Sequence, residues 1–364
     1  MENGYLGVTG AIGGTLMDLL MADDIEPGSD ASYQTCKNIY VYHPMGRKLA
    51  QEPANLALSQ RREISIPSGP ENALKEAFER EWNKLKLDKV ILRVATLASV
   101  YGVSTLVIID ESSPINEALD AKAIANKEIR FKVFDPLNTA GSYVTNQNPN
   151  ALDFQDNETV SVSGRNYHLS RCCTMINEEP IYLEYSLSAF GYTGRSVYQR
   201  ALFPLKSFIA SMLTDHQVQE KAGLLIVKSK KAGSVIDNIM QRAADLKRNM
   251  LKGAKTGNVL EIGHEDSVET LNMTNADTAM KTSRENIIHN IALASGRPAM
   301  LLSGEAFTQG FGEGTEDAGA VADYIDSYRL ELQPLYDFLD PIVQWRAWNP
   351  EFYQTIQERF PDEY

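Results

Sequence analysis

Three stretches of apolar residues at helical spacing constrain this chain more than any other feature. Val197, Ala201, Leu202, Leu205, Phe208, Ile209 and Met212 form the first stripe, with Pro204 expected to kink it. Met280, Ile287, Ile288 and Ile291 form the second, on a helix predicted from Thr274, whose capping partner is Asp277, to Gly296 just before Pro298. The third runs through Val321, Tyr324, Ile325, Tyr328, Leu332, Leu335, Tyr336, Leu339, Ile342 and Val343, interrupted by Pro334 and Pro341. Stripes this extensive exceed what one protomer covers, and closed association of identical copies is the usual solution.

The remaining sequence predicts an α+β body around these helices. Residues 1–70 read as irregular, punctuated by YHPMGRKLAQEP and SIPSGP. From Glu71, Leu74, Ala77, Phe78, Trp82, Leu85, Val90, Ile91, Val94 and Leu97 recur at three- and four-residue steps, giving one helix or a broken pair that ends near Gly102. STLVIID follows as a buried strand, then IRFKVF, TVSVSG and IYLEYS as further strand-like pieces. Between the first two long helices lies a compact insert: strand GLLIVKS, helix VIDNIMQRAADLKRNMLKG, and strands NVLEIG and SVETLNM.

Charge and chemistry exclude several classes of function. The net charge of −13 argues against a sequence-specific reader of duplex DNA, which carries a basic footprint. The insert departs from this balance, because residues 223–257 hold eight basic residues and two acids. Lys228, Lys230, Lys231, Arg242, Lys247, Arg248, Lys252 and Lys255 thus make a local positive surface suited to an acidic partner or to phosphates, although a solvated helix face accounts for the same pattern. Three cysteines without CxxC spacing imply a reducing, cytoplasmic site of synthesis. No basic leader or membrane-length apolar run is present, so no membrane association is expected. The five histidines are scattered, no nucleophile elbow occurs, and neither a metal, a cofactor nor catalytic residues are expected.

The segment SGRPAMLLSGEAFTQGFGEGTEDAG, residues 295–319, joins the second and third stripes. Its glycines invite comparison with a phosphate cradle, which requires a lysine to complete the charge. No lysine follows Lys281, and the charges at hand are Glu305, Glu313, Glu316 and Asp317. These carboxylates repel phosphate and suit the first turn of the next helix.

This order of parts resembles the tailed-bacteriophage portal proteins, the head-to-tail connector rings. The likeness lies in YHPMGRKLA, EREWNKLKLDKVILRVATLASVYGVSTLVIID, YHLSRCCTM before GRSVYQRALFPLKSF, and LASGRPAMLLSGEAFTQGFGEGTEDAGAVADYIDSYRLELQPLYDFL, covering most of residues 40–345. The resemblance implies a wing at 1–195, a stem helix at 196–222, an α/β clip at 223–273, a returning stem helix at 274–296, a tunnel loop at 297–315 and a long kinked wing helix at 316–345. Residues 346–364 then stand where a crown is short or absent. The implied function is a DNA conduit at one capsid vertex of the virion, assembled in the host cytoplasm as a homo-oligomer, expected to be dodecameric. Partners implied are the terminase large subunit, head-tail adaptors, the major capsid and scaffolding proteins, and double-stranded DNA passing without sequence preference. Glu305, Phe307, Gln309, Phe311, Glu313, Glu316 and Asp317 would line the channel, Gly304, Gly310, Gly312 and Gly314 would supply loop flexibility, and the basic residues of the clip would meet partners. A head-tail adaptor or another structural ring protein of the virion is the alternative, and a nucleic-acid-processing enzyme a weaker one.

Overall fold

The computed structural model describes residue 20 and residues 25–67, 69–110, 113–120, 124–137, 141–145, 148, 150–152, 157–162, 164–178, 194–221, 225–228, 267–270, 276–303 and 314–361. The chain divides into two units, one of residues up to 206 together with 288 onward, the other of residues 207–287.

The larger unit opens with two helices where an irregular segment was expected: α1 (Tyr33–Tyr42) and α2 (Gly46–Ser59). Gly46 and Pro53 disguised them. Ser32 caps α1, its hydroxyl accepting from the Thr35 amide at 3.1 Å. Gly46 opens α2 because nothing larger fits, a Cβ there lying 2.0 Å from the Ile39 carbonyl oxygen. Leu49, Ala50, Pro53, Ala54 and Ala57 form the buried face of α2, so Pro53 packs within the helix instead of ending it.

The predicted pair follows as α3 (Glu71–Leu85) and α4 (Leu87–Tyr101), broken at Lys86, whose φ is +55°. Gly102, at φ +87°, turns α4 directly into β1 (Val103–Asp110). This strand is the centre of an antiparallel sheet with β2 (Ile129–Phe134) on one side and β6 (Cys172–Ile176) on the other. Thr105 faces Phe134 in the first register and Val103 faces Ile176 in the second. A second sheet comprises β3 (Gly141–Thr145), β4 (Asn157–Val162) and β5 (Arg165–Tyr167). TVSVSG thus contributes to β4, whereas β3, β5 and β6 had no sequence prediction, and IYLEYS lies outside the described residues.

Helix α5 (Leu202–Lys221) starts late enough that Pro204 sits in its first turn, where the missing amide has no helical acceptor to lose, so the expected kink does not arise. After α6 (Ala276–Ser295) and the short α7 (Ala299–Ser303) come α8 (Gly314–Glu331), α9 (Gln333–Ala347) and α10 (Pro350–Arg359). The break before Pro334 falls at Leu332, while Pro341 remains inside α9. Asn349 caps α10 by accepting from the Phe352 amide at 2.9 Å.

One apolar core unites these parts. Ala54 and Ala57 of α2, Phe78 and Trp82 of α3, Leu87, Ile91, Val94 and Ala98 of α4, Leu106 of β1, Ile325 and Tyr328 of α8, and Leu335, Leu339 and Val343 of α9 pack together. Full burial of a Leu or Ile side chain contributes roughly 1.5–3 kcal/mol, so α4, buried along most of its length, dominates this unit. Val107, on the opposite face of β1 from Leu106, packs instead with Val160 and Tyr167. A buried ion pair, Arg171 with Asp110 at 3.5 Å, secures the loop beyond β1: Arg171 Nε donates to the Glu117 carbonyl at 2.6 Å, and Asp110 Oδ1 accepts from the Ser113 amide at 3.0 Å.

In the smaller unit, β7 (Leu225–Lys228) pairs antiparallel with β8 (Ser267–Thr270), and Arg284 of α6 forms an ion pair with Asp215 of α5. The predicted helix and the NVLEIG strand of this insert lie outside the described residues, as does Thr274.

Two side chains lend themselves to test. Arg62 lays its guanidinium 4.6 Å from the Trp82 ring centroid and 4.5 Å from that of Tyr336, while forking onto both carboxylate oxygens of Asp340. Lysine keeps the charge and loses the fork and the stacking, so R62K is expected to destabilise the larger unit by about 1–2 kcal/mol in urea unfolding followed by tryptophan emission. A midpoint unchanged from wild type would show that the clasp contributes nothing.

His43 is buried, with Nδ1 accepting from the Met45 amide at 3.0 Å, which places the ring proton on Nε2 facing the Leu205 carbonyl at 3.2 Å. Burial pulls its pKa down from 6.5 to about 4. A depressed histidine contributes stability that is whole above pH 6.5 and fades as pH falls from there toward 4, where the unfolded chain takes up the proton first. Comparing H43Q with wild type across that window should show the stability difference shrinking as the pH falls; a constant difference would contradict the assignment.

Candidate channel loop and its anchor

The loop singled out by the sequence is bounded by α7 on one side and α8 on the other, and the construction of the first flank follows from local chemistry. Helix α6 stops at Ser295, and Gly296, at φ +66°, reverses the chain so that the Arg297 amide donates back to the Ala292 carbonyl at 3.1 Å. Pro298 then starts α7, whose Leu301 and Leu302 are buried. Lys48 of α2 donates from Nζ to the Leu302 carbonyl at 3.0 Å, tying the end of α7 to the body.

The side chain of Arg297 turns inward. Its guanidinium carbon lies 5.5 Å from the ring centroids of both Tyr324 and Tyr328 on α8, so the residue entering the loop and the helix leaving it are joined by cation–π contacts. Burial lowers the pKa of Arg297 while Tyr328 and Glu331 oppose that shift, and an arginine remains charged regardless. Burial raises the Tyr328 phenol, which stays protonated. Nearby, Tyr198 is fully buried and donates to the Gly46 carbonyl at 2.6 Å.

Of the residues predicted to line a channel, Glu305, Phe307, Gln309, Phe311 and Glu313 lie outside the described residues, together with Gly304, Gly310 and Gly312. Gly314, Glu316 and Asp317 fall in the first turn of α8. Among the basic residues of the insert, Lys228 lies in β7; Lys230, Lys231, Arg242, Lys247, Arg248, Lys252 and Lys255 lie outside the described residues. Sequence reasoning placed Tyr324 and Tyr328 on an apolar stripe and passed over Arg297. The signal available was an arginine between a helix-ending glycine and a proline, facing tyrosines four residues apart on the next helix.

Other chemistry is sparse. Cys172 and Cys173, adjacent on β6, point to opposite faces of the sheet; burial raises both thiols to about 12, and Cys36 to about 11, which keeps them protonated and unreactive. Among the described residues no group of three His, Cys, Asp or Glu side chains is placed to hold a metal, and no helix is long and apolar enough to cross a membrane.

Comparison with known proteins places this architecture. No curated protein matches the chain. Among solved structures, an HK97-family phage portal protein from Corynebacterium diphtheriae aligns at 15% identity with a TM-score of 0.31, over 58% of this chain and 58% of that protein's length. A chain in the neck of an empty GTA particle, computed with C6 symmetry, aligns over 96% of this chain and 95% of its own, at 14% identity and a TM-score of 0.51. The second likeness is of fold, to a chain that here is helix-rich with small sheets. The sequence profile of the phage portal proteins matches residues 34–357, which spans every helix of the core from α2 to α9, and the chain therefore belongs to the phage portal protein family.

Proposed function

We propose that the chain is the subunit of a ring at one vertex of a phage capsid, through which the genome enters during packaging and leaves during ejection. The observation that carries the reading is the family match over residues 34–357. The portal family is one of structural proteins, and a role as portal or connector needs no chemistry from the chain itself. Nucleotide hydrolysis would belong to a terminase docked on the ring, and adaptors or tail proteins would take its place afterwards.

The physical task of such a ring is to enclose DNA without holding it. Duplex DNA carries one negative charge per roughly 1.7 Å of axis, so each cation on the channel wall adds a phosphate contact, whereas a carboxylate there repels the phosphates. Residues 301–364 hold thirteen acids, three arginines and no lysine, a composition suited to a wall that phosphates slide past. We assign the narrowest part of that wall to the loop between Ser303 and Thr315, with Glu305 and Glu313 as the repelling groups. The glycines at 304, 310, 312 and 314 open backbone conformations closed to other residues. The basic insert, with Lys247, Arg248 and Lys252 at its centre, is assigned to docking, because residues 223–257 set eight basic residues against two acids in an otherwise acidic chain. The subunit number is taken to be twelve by analogy with the family.

Native mass spectrometry of the purified chain is expected to give closed rings, and a stable monomer at micromolar concentration would count against the assignment. Glu305→Lys combined with Glu313→Lys should leave rings intact while slowing DNA passage in low salt, with added salt restoring the rate because the new contacts release counterions. Rings of that variant moving DNA at the parental rate in low salt would remove the loop from the channel wall.

A further inference from the structure

Among the described residues, the charge at the anchor of the loop has no ionic partner. Arg297 is half-buried, and among the described residues its Nε is enclosed with no hydrogen-bond acceptor; the Tyr324 hydroxyl is likewise enclosed and unpaired, while the hydroxyls of Tyr328 and Ser99 are enclosed beside each other. Among the described residues no carboxylate comes within ion-pair distance of this guanidinium. Glu331 and Glu178 act on it only through their field, and Glu178 is engaged with Arg200 at 3.1 Å. The outer nitrogens of Arg297, unlike Nε, retain some exposure and no partner.

A guanidinium partly withdrawn from water without an anion is costly, and two cation–π contacts offset only part of that cost. The arrangement nevertheless fixes the fork. Two tyrosine rings lie against the guanidinium, the helix-ending turn at Gly296 fixes the backbone, and the remaining edge of the guanidinium is held in one orientation. Such a group binds a planar carboxylate with little loss of freedom, and buried arginines of this kind dominate many protein interfaces.

We infer that Arg297, clamped by Tyr324 and Tyr328, is a socket for a carboxylate presented by a neighbouring copy of this chain. This rests on the ring reading given above. The occupant follows from charge: each copy carries a net −13, and the acids crowd into residues 301–364, the same stretch that holds the two tyrosines. In a ring of identical subunits, every socket meets the same acidic surface of its neighbour. The contact would link the base of the loop in one subunit to the next, so that adjacent loops share one anchor.

The test uses the full-length chain in rings assembled from a mixture of ¹⁵N-labelled and unlabelled subunits. In R297K, a carbodiimide condenses the introduced amine with any carboxylate in contact, and mass spectrometry reads the resulting amide. A crosslink from position 297 to an Asp or Glu of the other isotopic copy is the expected result. A crosslink confined to one copy, as to Glu331 or Glu178, or no crosslink at all, would overturn the inference. In parallel, R297Q is expected to raise the protein concentration at which rings dissociate at least roughly tenfold, with R297K intermediate and with circular dichroism of the subunits unchanged. Should R297Q perturb the fold, the Y324F/Y328F pair, which leaves the clamp and removes the hydroxyls, should give a smaller loss in the same direction. Millimolar inorganic phosphate raising the melting temperature of wild type and not of R297Q, with ring dissociation unchanged, would make the occupant a free anion and refute a neighbouring carboxylate. Wild-type protein run alongside separates the two claims: absent wild-type rings condemn the ring reading, whereas intact rings insensitive to R297Q condemn only the socket.

Discussion

The larger unit depends on a contact between bare backbones. At Gly102, where α4 becomes β1, a Cβ would stand 2.1 Å from the Gly194 carbonyl oxygen, and a Cβ on Gly194 would stand 2.2 Å from the Asn177 carbonyl and 2.6 Å from that of Gly102. Asn177 ends the β6 side of the sheet, and its amide donates to the Gly102 carbonyl at 2.9 Å. Helix, central strand, edge strand and the segment leading to α5 therefore converge within one van der Waals layer. Gly102 also carries φ +87°, so two separate demands fall on the same residue. The buried length of α4 can lie against β1 only because this junction is thin enough.

Much of this was legible because periodicity survives tertiary context. Leu74, Phe78 and Trp82, and Ile91, Val94 and Leu97, announce α3 and α4 by spacing alone, and both helices exist. The stripe from Val321 to Val343 likewise became α8 and α9. What misled was punctuation read out of context. Gly46 and Pro53 spelled a loop, yet one is demanded by close packing and the other is accommodated inside a helix whose remaining face is buried. Short strands such as β3 and β5 carry too few residues for alternation to rise above chance, and β6 hides in a CCTM run whose two cysteines serve different cores.

The site was legible to a different degree. The acids at 316 and 317 do fall within the first turn of a helix, which the stripe beginning at Val321 announced. Arg297 was not found because its value lies in what surrounds it: two rings from a helix that begins seventeen positions later in the chain, and hydroxyls that no spacing rule connects to an arginine. A residue whose partners arrive from elsewhere in the fold leaves no local pattern.

The two flanks also set a geometric bound on the segment they enclose. Ser303 is held through α7 by the Lys48 contact on Leu302, and Gly314 begins a helix clamped to Arg297. Ten residues lie between these fixed points. A chain in any conformation spans at most about 3.3–3.6 Å per residue, so this connection has a contour length of at most roughly 35 Å. Because it leaves one end and rejoins the other, none of its residues lies farther along the chain than about half that contour from the nearer end. The lever that governs how far this part of the protein can reach into any space beside it is therefore the residue count between Ser303 and Gly314, more than the identity of the side chains it carries.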